Sequence, residues 1–153
     1  MNTHLKTGSL TFKVLHPDWD DFSSEFEIIV TSDDWKASLR FFGDEALFKD
    51  FGNKLKSFPH NPQEIVAFEL GTELKGAQPE WAYYMLIRAY CYNAIGHTAI
   101  EIALNNNAEN PHGQSVRCNI LAEPAQINKL GVLLSEWDPM TQDTLFWDTK
   151  MEN

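Results

Sequence analysis

Cysteine is nearly absent from this chain: Cys91 and Cys118 are the only two among 153 residues. That is too few for a disulfide scaffold and too few for a cysteine-only zinc site. Both fall in alternating apolar runs, where a thiol behaves as a small hydrophobe, so both are expected as free, buried core thiols. A disulfide between neighbouring strands is the alternative. Basic charge is scarce as well. Twelve Lys and Arg stand against twenty-two Asp and Glu, for a formal net charge of −10. A nucleic-acid partner demands a basic face for its phosphates, and an anionic membrane surface would repel this chain, so neither is expected.

Long hydrophobic runs are missing too. No stretch approaches the roughly 18 apolar residues of a membrane span, and the longest candidate, residues 81–91, is broken by Arg88. The first fifteen residues lack the basic region and apolar run of a signal peptide, so the expected location is cytoplasmic. The eight Gly are scattered. None forms a GxGxxG or P-loop pattern, and GxSxG, HExxH and Cys/His metal spacings are absent. No catalytic, cofactor-binding or metal-ligating residue is assigned, and no cofactor is expected.

What the chain does have is aromatic residues: ten Phe, five Trp and four Tyr. With 43% hydrophobic and 22% charged residues, this is globular composition, and the length suits one domain spanning residues 1–153. Period-two alternation predicts strands over 10–15, 26–31 and 35–42, the last two joined at Asp33-Asp34. Leu47, Phe48, Phe51 and Leu55 follow at helical spacing. Asp44 is a candidate N-cap, Glu45 suits the first turn, and Pro59 stops the helix. A strand over 65–70 comes next.

Residues 81–93 alternate for a long stretch, with Met85, Ile87, Ala89 and Cys91 on one face and Tyr84, Leu86, Arg88, Tyr90 and Tyr92 on the other. Helix is the rival reading, but the density of aromatics favours strand. The turn at 93–96 returns the chain into a strand over 98–104, making a central hairpin. Residues 115–121 read as a strand, and Pro124 opens a helix with Ile127, Leu130, Leu134 and Trp137 on one face. The cluster 145–147 either docks on the body or adds an edge strand. The expected fold class is α+β, an antiparallel sheet of about six to seven strands with two amphipathic helices packed on it, and no internal repeat.

Two sets of residues are candidates for function. Between Asp18 and Asp34 lie seven acids and no Lys or Arg. Asp18, Trp19, Asp20, Asp21 and Phe22 there combine charge with aromatic anchors, the chemistry of a docking surface for a basic protein partner. A solvated face that only aids solubility is the plainer reading. The second set is Arg88, Tyr90, Glu101 and His97. Antiparallel pairing across 93–96 brings Arg88 and Glu101 together, as a cross-strand ion pair or as the lining of a pocket between helices and sheet. Glu69 and Glu73 read as solvated, and His112 with Glu109 is too small a set for a metal site.

The segment Leu55-Lys-Ser-Phe58-Pro59, the run Trp81-Ala-Tyr-Tyr84 with Ala99-Ile-Glu101-Ile after it, and the closing helix from Pro124 to Trp137 resemble, in order, small bacterial immunity-type proteins of the wall-associated contact-toxin systems. The resemblance covers residues 25 to 137 as an architecture. It implies a toxin-neutralising protein that works by binding, and it carries over no catalytic residue. The acidic loop and the tail after Asp138 lie outside it. The leading expectation is a non-enzymatic binding protein. A small-molecule binder or enzyme, and a structural homo-oligomer, are the alternatives.

Overall fold

Alternation in the first forty residues builds a three-stranded meander. In this computed structural model, which describes residues 7–17, 23–73 and 82–150, β1 (Gly8–His16), β2 (Ser24–Ser32) and β3 (Trp35–Gly43) pair antiparallel in sequence order. Leu10, Phe12, Phe26, Ile28, Val30, Leu39 and Phe41 point to one face and are buried there. Asp33 takes a positive φ of 54° at the two-residue turn, a conformation Asp tolerates better than most residues. The acidic segment 18–22 lies outside the described residues.

The first helix, α1 (Lys49–Leu55), begins later than its cap was expected. The Asp44 carboxylate accepts the Ala46 N–H at 2.9 Å and closes a turn, and the helix starts only after Phe48. Local turn chemistry takes the Asp44 side chain before a helix N-terminus can use it. A second meander follows: β4 (Ile65–Gly71), β5 (Tyr84–Cys91), β6 (Thr98–Asn105) and β7 (Ser115–Leu121). The β5–β6 hairpin occupies the two central positions, as its alternation predicts. The second helix, α2 (Pro124–Glu136), has Pro at its first turn and a reciprocal capping box between Glu123 and Gln126. The tail adds β8 (Thr144–Asp148) as an edge strand beside β1.

The α+β antiparallel class therefore holds, with eight strands divided between two four-stranded sheets rather than gathered in one. The first sheet has the order β3-β2-β1-β8 and the second β4-β5-β6-β7. α1 separates the two meanders in sequence and joins them in space. The Phe48 ring lies 4.9 Å from Phe12 and 5.9 Å from Phe41 in the first sheet, and 4.8 Å from Phe68 in the second. Trp137 closes the same cluster at 6.4 Å from Phe48. One continuous apolar core results, lined by the inner faces of both sheets and by both helices.

An internal repeat, not expected from the sequence, becomes visible here. Each meander ends in a helix with the same apolar pattern. Phe48, Phe51, Gly52, Leu55 and Phe58 match Ile127, Leu130, Gly131, Leu134 and Trp137 position for position, and all are buried. The two glycines face each other. A methyl on Gly52 would lie 2.8 Å from the Gly131 carbonyl oxygen, and one on Gly131 would lie 2.7 Å from the Gly52 carbonyl oxygen. The backbones meet there without side chains between them, and Asn128 of α2 donates to the Leu55 and Phe58 carbonyls at 2.8 Å, satisfying the C-terminal end of α1.

Candidate functional site

Because both helices lie on the Met85–Ile87 side of the second sheet, its ring-bearing side faces away from them. The register sorts that outer face into rows. Ile65, Tyr90, Ala99 and Leu121 stand opposite one another across all four strands. The next row is Ala67, Arg88, Glu101 and Asn119, and the one after it Glu69, Leu86, Ala103 and Arg117. At the other end the Tyr92 N–H donates to the His97 carbonyl, extending the β5–β6 ladder by one pair.

The first row and its neighbours make an apolar band. Ile65 is 56% exposed, Tyr92 49% and Leu121 43%, with Ile95 at the hairpin tip 80% exposed. Within the row itself the exposed chains stand at its two edges, with half-buried Tyr90 and fully buried Ala99 between them.

The second row is charged and internally satisfied. Arg88 Nε donates to Glu101 Oε1 at 3.0 Å, directly across the hairpin as the sequence predicts. Arg117 reaches the same carboxylate at 3.4 Å and donates to Glu73 at 2.9 Å, so four residues form one chain of alternating charge. The Arg88 guanidinium sits 4.3 Å from the centre of the Tyr90 ring, a cation–π contact. The Tyr90 hydroxyl donates to Asn119 Oδ1 at 2.6 Å. Burial first, then the neighbouring Glu101 charge, raises the Tyr90 phenol above its ordinary value. Tyr84 donates to Glu69 at 2.6 Å, and burial followed by that hydrogen bond moves its ionisation well above the usual tyrosine range. Glu69 and Glu73, read from sequence as merely solvated, thus each hold a partner.

His97 stands apart from this row. Its Nδ1 pairs with the Asn93 side-chain amide at 2.7 Å, its ring lies 5.9 Å from Tyr92, and it lines a groove shared with Leu121, Glu123 and Gln126. Of the four candidate residues, the structure brings Arg88, Tyr90 and Glu101 into one contact set on an open sheet face, with His97 at the far end of that face. His112 is exposed, and among the described residues no group of three or more His, Cys, Asp or Glu is placed to hold a metal ion. No helix among the described residues is long and apolar enough to cross a membrane.

Both thiols are free, but they are half-buried rather than fully buried. Cys118 lies on β7, an edge strand that leaves part of its inner face open, and burial raises its thiol pKa. A bond between Cys91 and Cys118 is ruled out by topology. β6 lies between their strands, which sets them about 9.5 Å apart or more, beyond the ~7 Å limit between Cα atoms that a disulfide tolerates.

Sequence reading singled out the charged pair and overlooked the apolar band, Arg117 and Asn119. The signal for them was register. Once Arg88 is set opposite Glu101, Tyr90 must face Ala99, but the β6–β7 offset depends on a loop whose length fixes nothing by itself. No protein-family model, curated protein or solved structure matches the chain.

Proposed function

We propose that the protein is a non-enzymatic binding protein whose partner is a basic protein, consistent with the toxin-neutralising role that its resemblance to immunity-type proteins implies. The observation that carries this reading is the outer face of the second sheet, where the exposed side chains of Ile65, Tyr92, Ile95 and Leu121 border the charged cluster of Arg88, Glu101 and Arg117. Interface centres combine apolar anchors, Tyr and Arg in this way. The titratable groups of the charged cluster are engaged with one another, both arginines on the Glu101 carboxylate, which favours binding over acid–base catalysis. The overall charge of −10 favours a basic partner through electrostatic steering. Asp18, Asp20 and Asp21 extend that acidic field in the sequence, with Trp19 and Phe22 as candidate anchors.

Association kinetics test this. A partner recovered from native extract should bind with an on-rate that falls steeply with ionic strength, and changing Asp18, Asp20 and Asp21 to Asn should slow association. Ile65→Asp and Tyr92→Ala should speed dissociation instead, because anchors act after encounter. A salt-independent on-rate together with unchanged dissociation in the folded band variants would reject the reading. A homo-oligomer that the same band variants convert to monomer would replace it with the self-association alternative.

A further inference from the structure

Of the tryptophans among the described residues, Trp137 and Trp147 are buried and Trp35 is not. Trp137 and Trp147 each donate the indole N–H to a backbone carbonyl, Gln142 at 2.8 Å and Gln126 at 2.9 Å. Trp35 is 71% exposed, and among the described residues its indole N–H has no partner. Its pairing with Ser32 closes the hairpin loop between β2 and β3, which fixes its backbone. Trp35 lines a groove of about 700 Å3 that runs from β3 to the adjoining ends of β6 and β7. Leu104 and Val116 supply further apolar lining there. The volume falls within the ~300–1,000 Å3 typical of ligand clefts.

The rest of the lining is mostly polar and unengaged. The side chains of Ser38, Gln114 and Ser115 have no hydrogen-bond partner among the described residues. Main-chain groups are free there as well. The Phe42 N–H donates to the Tyr83 hydroxyl at 3.0 Å, so it points away from β2. Alternate residues of an antiparallel ladder point the same way, which leaves the N–H and C=O of Lys36 and Ser38 unpaired at the sheet edge. On the opposite side the loop is clamped. The Asn106 N–H donates to the Gln114 carbonyl at 3.0 Å, and the Gln114 N–H donates to Asn106 Oδ1 at 2.8 Å. Asn106 Nδ2 donates to the His112 carbonyl at 3.0 Å. Gln114 and Ser115 thus stand on a fixed frame, and groups held in advance lose less freedom on binding.

The lining selects an uncharged ligand rich in hydroxyls. Its charged residues are one acid and one base, Glu27 and Lys36, so their charges cancel. The net charge of −10 neither draws nor repels a neutral molecule. Hydroxyls, amides and free main-chain groups offer both donors and acceptors, and each ligand hydroxyl uses both. Among the described residues Trp35 is the one aromatic side chain that lines the groove. A planar nucleobase is held best between two flat apolar surfaces. A sugar ring, with an apolar C–H face and a polar rim, needs only one. We propose that the groove beside Trp35 binds a neutral carbohydrate, with the C–H face of a pyranose ring against the indole. Gln114, Ser115 and the β3 edge hold its hydroxyls. This site does not depend on the outer face of the second sheet and would hold if that face bound nothing.

The test is titration of the full-length protein with maltotriose, cellotriose and chitotriose, followed by amide and indole N–H NMR. Adenosine serves as the comparison. At least one trisaccharide should give saturable shifts at the Trp35 indole and the Gln114 side-chain amide, with adenosine at least about tenfold weaker. Trp35→Ala removes an exposed ring, so it should fold, as its melting curve will check, and bind that sugar about tenfold more weakly. Trp35→Phe keeps a flat face and should retain much of the affinity, whereas Gln114→Ala should weaken it severalfold. No saturable shift with any of the trisaccharides at about 10 mM would overturn the proposal. So would unchanged affinity in the folded Trp35→Ala protein, or adenosine binding as tightly as the sugar.

Discussion

Replacing Gly52 or Gly131 by Ala isolates the contact that joins the two halves of the fold. In a free helix either change would stabilise, because Ala is better than Gly by about 1 kcal/mol in a helix interior. Here the added methyl has nowhere to go. At position 52 it would stand 2.6 Å from the Ser135 amide nitrogen and 2.8 Å from the Gly131 oxygen; at position 131, 2.7 Å from the Gly52 oxygen and the Lys56 nitrogen. Ordinary carbon contacts begin near 3.5 Å, so the helices must separate by something under 1 Å, and the nearest blocking atoms are backbone that cannot rotate away. Overpacking of a tight core costs about 1–3 kcal/mol, and separation also strains the Asn128 bonds to Leu55 and Phe58. Net of the propensity gain, each variant should lose about 1–2 kcal/mol, which at this chain length lowers the melting temperature by roughly 2–8 °C. The double variant should lose clearly less than the sum, because the first methyl already opens the space that the second needs. Urea unfolding of the four proteins measures both quantities. A single variant as stable as the parent, or a strictly additive double, would refute the close-contact account.

Glu101→Ala should lower stability by about 1–2 kcal/mol, since one half-buried carboxylate holds both Arg88 and Arg117; Glu101→Gln should cost less, and high salt should narrow the gap, both read from urea midpoints. Glu64 is hydrogen-bonded to His60, which lowers its pKa. Its contribution is therefore present above the unfolded carboxyl value and lost as pH falls through the lower folded one; a carboxyl NMR titration should show a depressed midpoint that His60→Ala restores toward normal. Cys118 should react with a thiol reagent at neutral pH at least about tenfold more slowly in the native protein than in denaturant, because partial burial raises its thiol pKa and limits access.

The sequence made local pairings legible and left assembly hidden. The β5–β6 hairpin, including Arg88 opposite Glu101, follows from alternation and a four-residue turn, since the inward set Met85, Ile87 and Ala89 tolerates no one-residue slip. Strand β8 was readable only as an alternative, because five residues carry little periodicity; what commits them is Trp147, wholly buried, with its indole N–H donating to the Gln126 carbonyl at 2.9 Å. The division into two sheets was not readable. Seven or eight alternating segments fit one sheet or two equally well, and what joins the two is Phe48, just before α1, whose ring has aromatic neighbours in both sheets. The repeated helix pattern was in plain view as Phe-Gly and Leu-Gly steps, but an isolated helical Gly means nothing until its opposite number is known. For the candidate site, the charged pair was visible in its own hairpin, whereas the apolar band takes one residue from each of four strands and exists only as a row.

The same register sets the two outer faces apart from each other. With the core occupied by both helices, each sheet presents an outer side that neither helix covers, and both carry exposed aromatic rings. On the first sheet those rings are isolated. Phe42 lies on β3 opposite Glu25, Phe146 lies on β8 at the other edge opposite Thr11, and the strands between them carry Ile29 among Lys13, Glu27 and Thr31. Exposed apolar residues scattered singly are ordinary. On the second sheet the register sets Ile65, Tyr90, Ala99 and Leu121 side by side, with Tyr92 next along β5. A one-residue slip of β4 or β7 would replace Ile65 or Leu121 in that row by Glu64, Val66, Ile120 or Ala122 and move an inward residue into solvent, so the inner core that fixes the register also holds the band together. The row is thus specified by core packing on its reverse side, so substitutions at Ile65 and Leu121 should leave the fold undisturbed, which is what lets them test the proposed binding role.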